Sequence, residues 1–151
     1  MVALRKQDSK LEFGERMSEQ NKESIRRFYE ELVNERRIEL AAEMILENFD
    51  DHAARGTGLE NFKTLYNVML RIFPDIQARI EDLIAEGDKV VARVEFTATQ
   101  AGSFRGFPPA RRRVTFSGMD IFRFKDGMIA ERWVQRDFLG MLEKLGHLSN
   151  P

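Results

Sequence analysis

The stretch Val114-Thr-Phe-Ser-Gly-Met-Asp-Ile-Phe-Arg-Phe-Lys-Asp-Gly-Met-Ile-Ala-Glu-Arg-Trp-Val-Gln-Arg-Asp137 decides the fold of this chain. Two long hydrophobic runs flank Lys125-Asp126-Gly127, and Asp-Gly between such runs is a strong signal for a tight hairpin turn. Strand side chains alternate between two faces, so Trp133 and Asp137 lie on the same face of the second run. A large aromatic ring beside a carboxylate shields it from water, and such desolvation suits a carboxylate to act as a general acid or base. We therefore predict a hairpin that carries a candidate acid/base at its end.

Composition narrows the class of protein. The chain has 151 residues, which is the size of one domain, and it has no cysteine, so disulfides and thiolate metal sites are excluded. Its 24 basic and 25 acidic residues give a net charge of −1, which argues against non-specific nucleic-acid binding. The sequence has neither an apolar run of membrane-spanning length nor the apolar core of a signal peptide. We expect a cytoplasmic protein with no nucleic-acid or membrane partner.

The region before the hairpin follows a helical period. Residues 1–17 are polar and are predicted to be a disordered extension, which leaves a single domain over 18–148. A helix is predicted from about Asn21, a second over Ile38–Leu46, and a third from Leu59 to Phe73, where Pro74 ends it. The segment between the second and third helices, 49–58, is rich in turn-forming residues and is predicted to be irregular.

The remainder of the chain is predicted to form strands. Alternating or continuous apolar runs cover 76–85, 90–100, 114–124 and 128–136, and a short helix from Phe138 to Leu145 ends at Gly146. Three helices followed by four strands indicate an α+β fold, with helices packed on one side of an antiparallel sheet. Several strands are apolar on both faces, so the far side of the sheet is expected to be covered by its own curl or by a second subunit.

Several elements with characteristic spacing identify a family. They include Asp51-His52, Phe73-Pro74-Asp75, Gly106-Phe-Pro-Pro, Glu131-Arg-Trp and Leu145-Gly146. With them, residues 20–148 resemble the SnoaL-like polyketide cyclase family of the nuclear-transport-factor-2-like superfamily. The resemblance implies a cone-shaped, strongly bent antiparallel sheet packed on the N-terminal helices, an apolar pocket at the cone mouth, and a homodimer. It also implies a cofactor-independent aldol ring closure on a polyketide ester.

The resemblance implies catalytic roles for two residues. Asp137 matches the last-strand aspartate that acts as general acid/base, while its position before a short helix is equally typical of a helix cap. His52 matches a histidine that faces the pocket, and the alternative is an exposed loop histidine. With His147 as the only other histidine, we expect no metal site, and the reaction needs no cofactor.

Six residues are predicted to bind substrate, and one of them departs from the family pattern. They are Gln100, Trp133, Tyr66, Met69, Phe73 and Met119. Many family members have Thr-His-Thr-Gly where this chain has Thr99-Gln100-Ala101-Gly102, and Pro109-Ala110-Arg111 replaces a Pro-Thr-Gly turn. An amide cannot exchange a proton near neutral pH, so the two-residue catalytic arrangement of the family is altered here.

The function predicted from the sequence is a cyclase or isomerase acting on a hydrophobic, polyketide-like carbonyl compound through an aspartate. Two alternatives use the same fold: a non-catalytic protein that binds an apolar small molecule, and a dimeric adaptor that recruits a partner through its outer sheet face. An epoxide-opening hydrolase would need an Asp–Arg–Asp relay, which the sequence spacing alone does not assemble.

Overall fold

A curled, open sheet of five strands wraps around helices on its inner side. The structure is a computed structural model that describes residues 2–148. Its elements are helix α1 (Val2–Arg27), helix α2 (Ala41–Met44), strand β1 (Ile45–Asp51), helix α3 (Leu59–Ile72), strands β2 (Gln77–Glu86), β3 (Lys89–Thr99), β4 (Arg113–Lys125) and β5 (Met128–Arg136), and helix α4 (Phe138–Lys144). The strand order is β1-β5-β4-β3-β2, antiparallel except for the parallel pair of β1 and β5. The predicted α+β class is confirmed.

The predicted hairpin joins β4 to β5. Asp126 and Gly127 have φ angles of 52° and 76°, both in the left-handed region that a two-residue type I′ turn requires. In the resulting register Arg123 lies opposite Glu131, and Arg123 Nε donates to Glu131 Oε2 at 2.6 Å. The turn thus sets which side chains of β4 and β5 share each face of the sheet.

Helix α1 continues into a wider, π-helical turn over Phe28–Asn34. Four of its seven residues are buried, namely Phe28, Tyr29, Leu32 and Val33. The i→i+5 hydrogen bonding of such a turn broadens the helix, and turns of this kind recur at functional sites. Here the turn directs the Tyr29 side chain across the core to strand β4.

The N-terminal segment differs from the prediction. Residues 2–17 are helical and continue directly into the rest of α1, although the side chains of residues 4–16 are exposed. Lysine, arginine, glutamate and glutamine have good helix propensity, so a helix forms here without the apolar stripe by which we looked for it. The domain boundary at residue 18 remains a prediction, and Met1 lies outside the described residues.

Strand β1 is the second difference. The predicted helix over Ile38–Leu46 is only a 3₁₀ turn at Ile38–Leu40 followed by α2, and the chain from Ile45 is already extended. Ile45 and Phe49 are both buried although β1 is irregular, with a register shift against β5 between residues 45 and 50. A spacing of four fits one face of a helix as well as a bulged strand, so periodicity did not separate the two.

The hydrophobic core lies between the helices and the inner sheet face. Phe28, in the π-helical turn after α1, contacts Phe122 of β4 edge to face, with ring centroids 5.3 Å apart. Phe49 contacts Phe62 of α3 in the same way at 6.1 Å. Within residues 2–148, no helix is both long enough and apolar enough to cross a membrane. The expected homodimer remains a prediction.

We expect a chain that starts at Met17 to unfold with nearly the stability of the whole protein. Because the side chains of residues 4–16 are exposed, their removal should change the free energy of unfolding by less than about 1 kcal/mol. Ile25→Ala, at a fully buried position, should lower it by about 2–5 kcal/mol. Urea denaturation measures both. A truncation as costly as Ile25→Ala would place the first residues inside the domain.

Candidate active site

An apolar cavity of about 320 Å³ lies between the helices and the inner face of the sheet. That volume is at the lower end of the range typical of small-molecule sites. Aromatic and aliphatic side chains form most of its wall, among them Phe28, Phe62, Tyr66, Met69, Phe73 and Phe116. Two ion pairs interrupt this apolar wall, and they give the cavity its chemistry.

The first ion pair joins the end of β1 to β5. Asp51 and Arg132 are register partners in the parallel pairing, and both line the cavity. Arg132 Nη2 donates to Asp51 Oδ2 at 2.5 Å, while the Ala53 backbone N–H donates to Asp51 Oδ1 at 3.1 Å. The guanidinium also lies 5.4 Å from the centroid of the Phe62 ring, a cation–π distance. Asp51 is therefore a buried but fully hydrogen-bonded carboxylate.

The second ion pair lies deeper, behind the cavity wall. Asp120 on β4 is fully buried and accepts hydrogen bonds from both terminal nitrogens of Arg136 on β5, with Nη2 at 2.9 Å from Oδ2. The Tyr29 hydroxyl donates to the same Oδ2. Tyr29 and Arg136 line the cavity, so the wall exposes the groups that Asp120 holds.

The protonation states of these groups follow from their surroundings. Burial, reinforced by the negative charge of Asp120, raises the pKa of the Tyr29 hydroxyl well above its ordinary value. Burial alone would lower the pKa of Arg136, but the hydrogen bond and charge of Asp120 outweigh it and raise that pKa. The wall thus presents a neutral phenol and a permanent cation at neutral pH. Since each guanidinium is paired with a carboxylate, the wall is polar without a net charge.

A glycine makes room for the deeper pair. Gly118 on β4 is the register partner of Arg136, and a Cβ atom at this position would lie 2.7 Å from both Cδ and Nη1 of Arg136. Side chains essentially never approach so closely. The missing side chain lets the arginine pass over the strand and reach Asp120.

Trp133 and Asp137 both lie outside the cavity. Trp133 stacks on His52 on the outer face of the sheet, and Asp137 follows the end of β5. Asp137 is exposed, and its Oδ1 accepts the backbone N–H of Gly140 at 2.9 Å, which makes it the N-cap of α4. Neither residue is among those that line the cavity. The structure thus gives Asp137 the capping position that was the alternative, and no contact with the cavity that would let it act there.

His52 and Met119 also lie outside the cavity. His52 is exposed, its ring stacks on Trp133 with centroids 4.9 Å apart, and Nε2 lies 2.7 Å from Glu131 Oε1. The hydrogen bond to Glu131 raises the pKa of the His52 imidazole. Met119 is 56% exposed because it points outward from β4, one residue before the inward Asp120.

Gln100 is fully buried but is directed to a loop rather than to the cavity. Its Nε2 donates to the carbonyls of Gly102 and Pro108, both at 3.1 Å, and its Oε1 accepts the backbone N–H of Ala110 at 3.1 Å. The amide therefore shapes the loop between β3 and β4. In place of the predicted substrate contact, it satisfies backbone groups of a buried turn.

The other three predicted substrate-binding residues line the cavity. Tyr66 and Met69 face it from α3, and Phe73 from the position that follows the helix. The Tyr66 hydroxyl donates to the backbone carbonyl of Leu32 at 2.9 Å, so its polar end is already satisfied. That these side chains contact a substrate remains a proposal.

Sequence reasoning missed the polar groups of the cavity. A usable signal was present in β4, where Asp120 has the same parity as the apolar Phe116, Phe122 and Phe124. Arg132 and Arg136 likewise lie on the face of β5 opposite Trp133. Charged residues on the same strand face as buried aromatic residues do not serve solubility, so they indicate a structural or functional role.

The chain is similar to proteins of one family. Residues 23–145 match the family model of the SnoaL-like polyketide cyclases. Similar solved structures include TsrD from Streptomyces laurentii, which is 28% identical with a TM-score of 0.75 over 87% of this chain and 96% of that one. A candidate polyketide cyclase from Bacillus cereus ATCC 10987 is 32% identical, with a TM-score of 0.71 over 86% and 83% of the two chains.

A further structure shows the shared fold. The candidate SnoaL-like polyketide cyclase from Jannaschia sp. CCS1 superimposes with a TM-score of 0.79 at 24% identity, over 88% of this chain and 96% of that one. Among proteins with curated functions, none matches significantly. Because the family model spans most of the chain and the fold agrees, this protein belongs to the SnoaL-like polyketide cyclase family.

Proposed function

We propose that this protein is a cofactor-independent cyclase that closes a ring in a hydrophobic, polyketide-like carbonyl compound, with Asp51 as the acid/base. The observation that carries the proposal is the Asp51–Arg132 pair on the wall of an otherwise apolar cavity. Membership of the family supports the cyclase class. The residues around the cavity supply the groups that an aldol closure needs.

The reaction uses one proton twice. The Asp51 carboxylate takes a proton from the carbon next to a carbonyl, and the C–H electron pair moves to form an enolate. The guanidiniums of Arg132 and Arg136 stabilise the negative oxygen as it develops, in a site where little water screens them. The enolate carbon bonds to a second carbonyl carbon of the same molecule, and the resulting alkoxide takes the proton back from Asp51. Substrate and product are isomers, so the balance needs no co-reactant.

Position selects Asp51 among the aspartates considered. Asp137 is exposed and caps α4, outside the cavity. Asp120 is behind the wall, and both of its oxygens accept hydrogen bonds from Tyr29 or Arg136. Asp51 lines the cavity itself. Asp120 then acts as a positioning residue that aims Arg136 and Tyr29.

The cavity also favours a neutral substrate. Its guanidiniums are each balanced by a carboxylate, and the remaining wall is mostly aromatic and aliphatic. A free carboxylic acid would add an unbalanced charge to this low-dielectric space, which is costly. A ketone or an ester can accept hydrogen bonds from the guanidiniums without that cost.

A non-catalytic carrier is the second candidate, and the same ion pair favours it. The oxygens of Asp51 already accept hydrogen bonds from Arg132 and from the Ala53 backbone N–H, so the carboxylate has a role in holding Arg132 without any proton transfer. Such a protein would hold a carbonyl compound through the guanidiniums and release it unchanged.

Proton exchange at carbon separates the two functions without knowledge of the substrate. In D₂O, a cyclase should replace the α protons of a bicyclic aromatic ketone such as 1-tetralone with deuterium. Proton NMR measures the rate at which the α-proton signal is lost. Asp51→Asn should lower the protein-dependent rate by about 10²- to 10⁴-fold, because the base is removed, while ligand line broadening persists. Binding by the unaltered protein with no exchange above background would establish the carrier and contradict the cyclase.

Matched variants assign the base. Asp137→Asn should leave exchange intact and change the free energy of unfolding little, because an asparagine Oδ1 can accept the same Gly140 N–H and is as good a helix cap. Asp82→Asn, on the exposed edge of the sheet, should change neither. If Asp51→Asn fails to fold, Asp51→Glu keeps the charge and displaces the carboxylate, and it should still slow exchange. Loss of exchange in Asp137→Asn alone would move the base to Asp137.

The two tyrosines provide a pH prediction. Burial raises the pKa of Tyr29 and of Tyr66, and the chain has no other tyrosine. Tyrosinate absorbance near 295 nm should therefore be weaker at pH 10 in the folded protein than in urea, where both phenols are exposed. Both folded pKa values exceed the unfolded ones, so the associated stability is present below about pH 10 and is lost as pH rises toward the folded values. A folded protein that titrates near pH 10 would contradict the buried phenol.

Gly118→Ala tests the deeper ion pair. The added methyl group must displace the Arg136 side chain from Asp120, so we expect a loss of about 1–3 kcal/mol in the free energy of unfolding and slower α-proton exchange. Gly14→Ala is the matched control, since no atom lies within 4 Å of the added carbon, and it should stabilise α1 by about 0.5–1 kcal/mol. If Gly118→Ala and Gly14→Ala changed the free energy of unfolding equally in urea denaturation, Gly118 would not be needed to make room for Arg136.

A further inference from the structure

A second cluster of ionisable side chains lies on the outer face of the sheet, away from the cavity. It consists of Asp50, His52 and Glu131, and one nitrogen or oxygen atom from each residue lies within 4.8 Å of the other two. Asp50 and Glu131 are register partners in the parallel pairing of β1 and β5. Like charges opposite each other on neighbouring strands repel, and a cation bound between them would relieve that repulsion.

The His52 imidazole is held so that it faces both carboxylates. Its ring is stacked on Trp133 at an interplanar angle of 7°, and its backbone N–H donates to the Arg132 carbonyl at 2.9 Å. Nε2 lies 2.7 Å from Glu131 Oε1 and 3.8 Å from Asp50 Oδ2. Stacking and the backbone bond restrict the orientation of the ring, so that Nε2 is directed toward the two carboxylates.

We propose that Asp50, His52 and Glu131 form a binding site for a divalent transition-metal ion such as Zn²⁺. Bonds of about 2.0–2.2 Å place the ligands of a tetrahedral zinc ion roughly 3.4 Å apart. The nitrogen–oxygen distances of 2.7 Å and 3.8 Å lie on either side of that value, so small side-chain rotations suffice. Water would occupy the fourth position.

The surroundings fit such an ion in two respects. Arg123 Nε donates to Glu131 Oε2 at 2.6 Å, which orients the carboxylate and leaves Oε1 for the metal. An imidazole nitrogen with two carboxylates suits zinc, nickel or copper, whereas calcium and magnesium prefer oxygen ligands throughout. From the small number of histidines we expected no metal site; here two carboxylates, from β1 and β5, would complete a ligand set with one histidine.

The single tryptophan of the chain reports on this site. Trp133 stacks on His52, so Ni²⁺ bound there should quench its fluorescence in a saturable way with a stoichiometry of one. Zn²⁺ should displace the Ni²⁺ and restore the emission, and calorimetry with ZnCl₂ alone should give the same stoichiometry. The protein is used without an affinity tag, in a buffer that does not chelate metals.

Three variants and one control assign the ligands. His52→Gln, Asp50→Asn and Glu131→Gln should each weaken Zn²⁺ binding about tenfold or more, with circular dichroism unchanged. His147→Gln should bind as tightly as the unaltered protein, because His147 contacts Gln100 and Phe107 far from the cluster. Absence of saturable quenching would overturn the proposal, as would unchanged affinity in His52→Gln. Unchanged affinity in both carboxylate variants would reduce the site to one imidazole and would overturn it equally.

Discussion

The inner face of the sheet depends on one interaction, the buried contact between Asp120 and Arg136. An unpaired charge at either position would cost several kcal/mol in this apolar interior, so each requires the other. The Tyr29 hydroxyl completes the arrangement by donating to the same carboxylate. The π-helical turn after α1, strand β4 and strand β5 are thereby joined by polar contacts inside the core.

This constraint explains two features that look unrelated in the sequence. Gly118 leaves the space through which Arg136 crosses β4, and the π-helical turn at Phe28–Asn34 brings Tyr29 to the carboxylate. Each departs from the most stable local choice, since glycine weakens a strand and a π turn weakens a helix. Local stability is given up at both places for a satisfied polar group inside the core.

Sequence reasoning succeeded where the signal was local. Asp126-Gly127 identified the hairpin, and the period of two indicated which side chains of β4 and β5 share a face. It could not decide which face, because β4 is apolar on both: Met119 and Ile121 point outward while Phe122 points inward. Alternation shows which side chains of a strand share a face. Which of the two faces is buried depends on what packs against the sheet.

The candidate site was hidden for a related reason. Asp51 belongs to a short, irregular strand whose partner, Arg132, is far away in the chain, and parallel pairing over such a distance leaves no local pattern. The burial of Asp120 could have been predicted, because this carboxylate lies on the same face of β4 as several phenylalanines. The family resemblance directed attention instead to Asp137, the aspartate of the expected motif, which the structure uses to begin α4.

The cavity is lined by residues from several separate parts of the chain, and this affects the stability of the protein when a ligand is bound. Its wall combines residues from α1, α3 and the distant strands β3, β4 and β5, so a bound molecule touches segments that only folding brings together. Such a ligand acts as a non-covalent cross-link, and at a hundred times its dissociation constant it adds about 2.7 kcal/mol to the stability of the native state. In a cell, the lifetime of this protein would then increase with the concentration of the compound that fills the cavity.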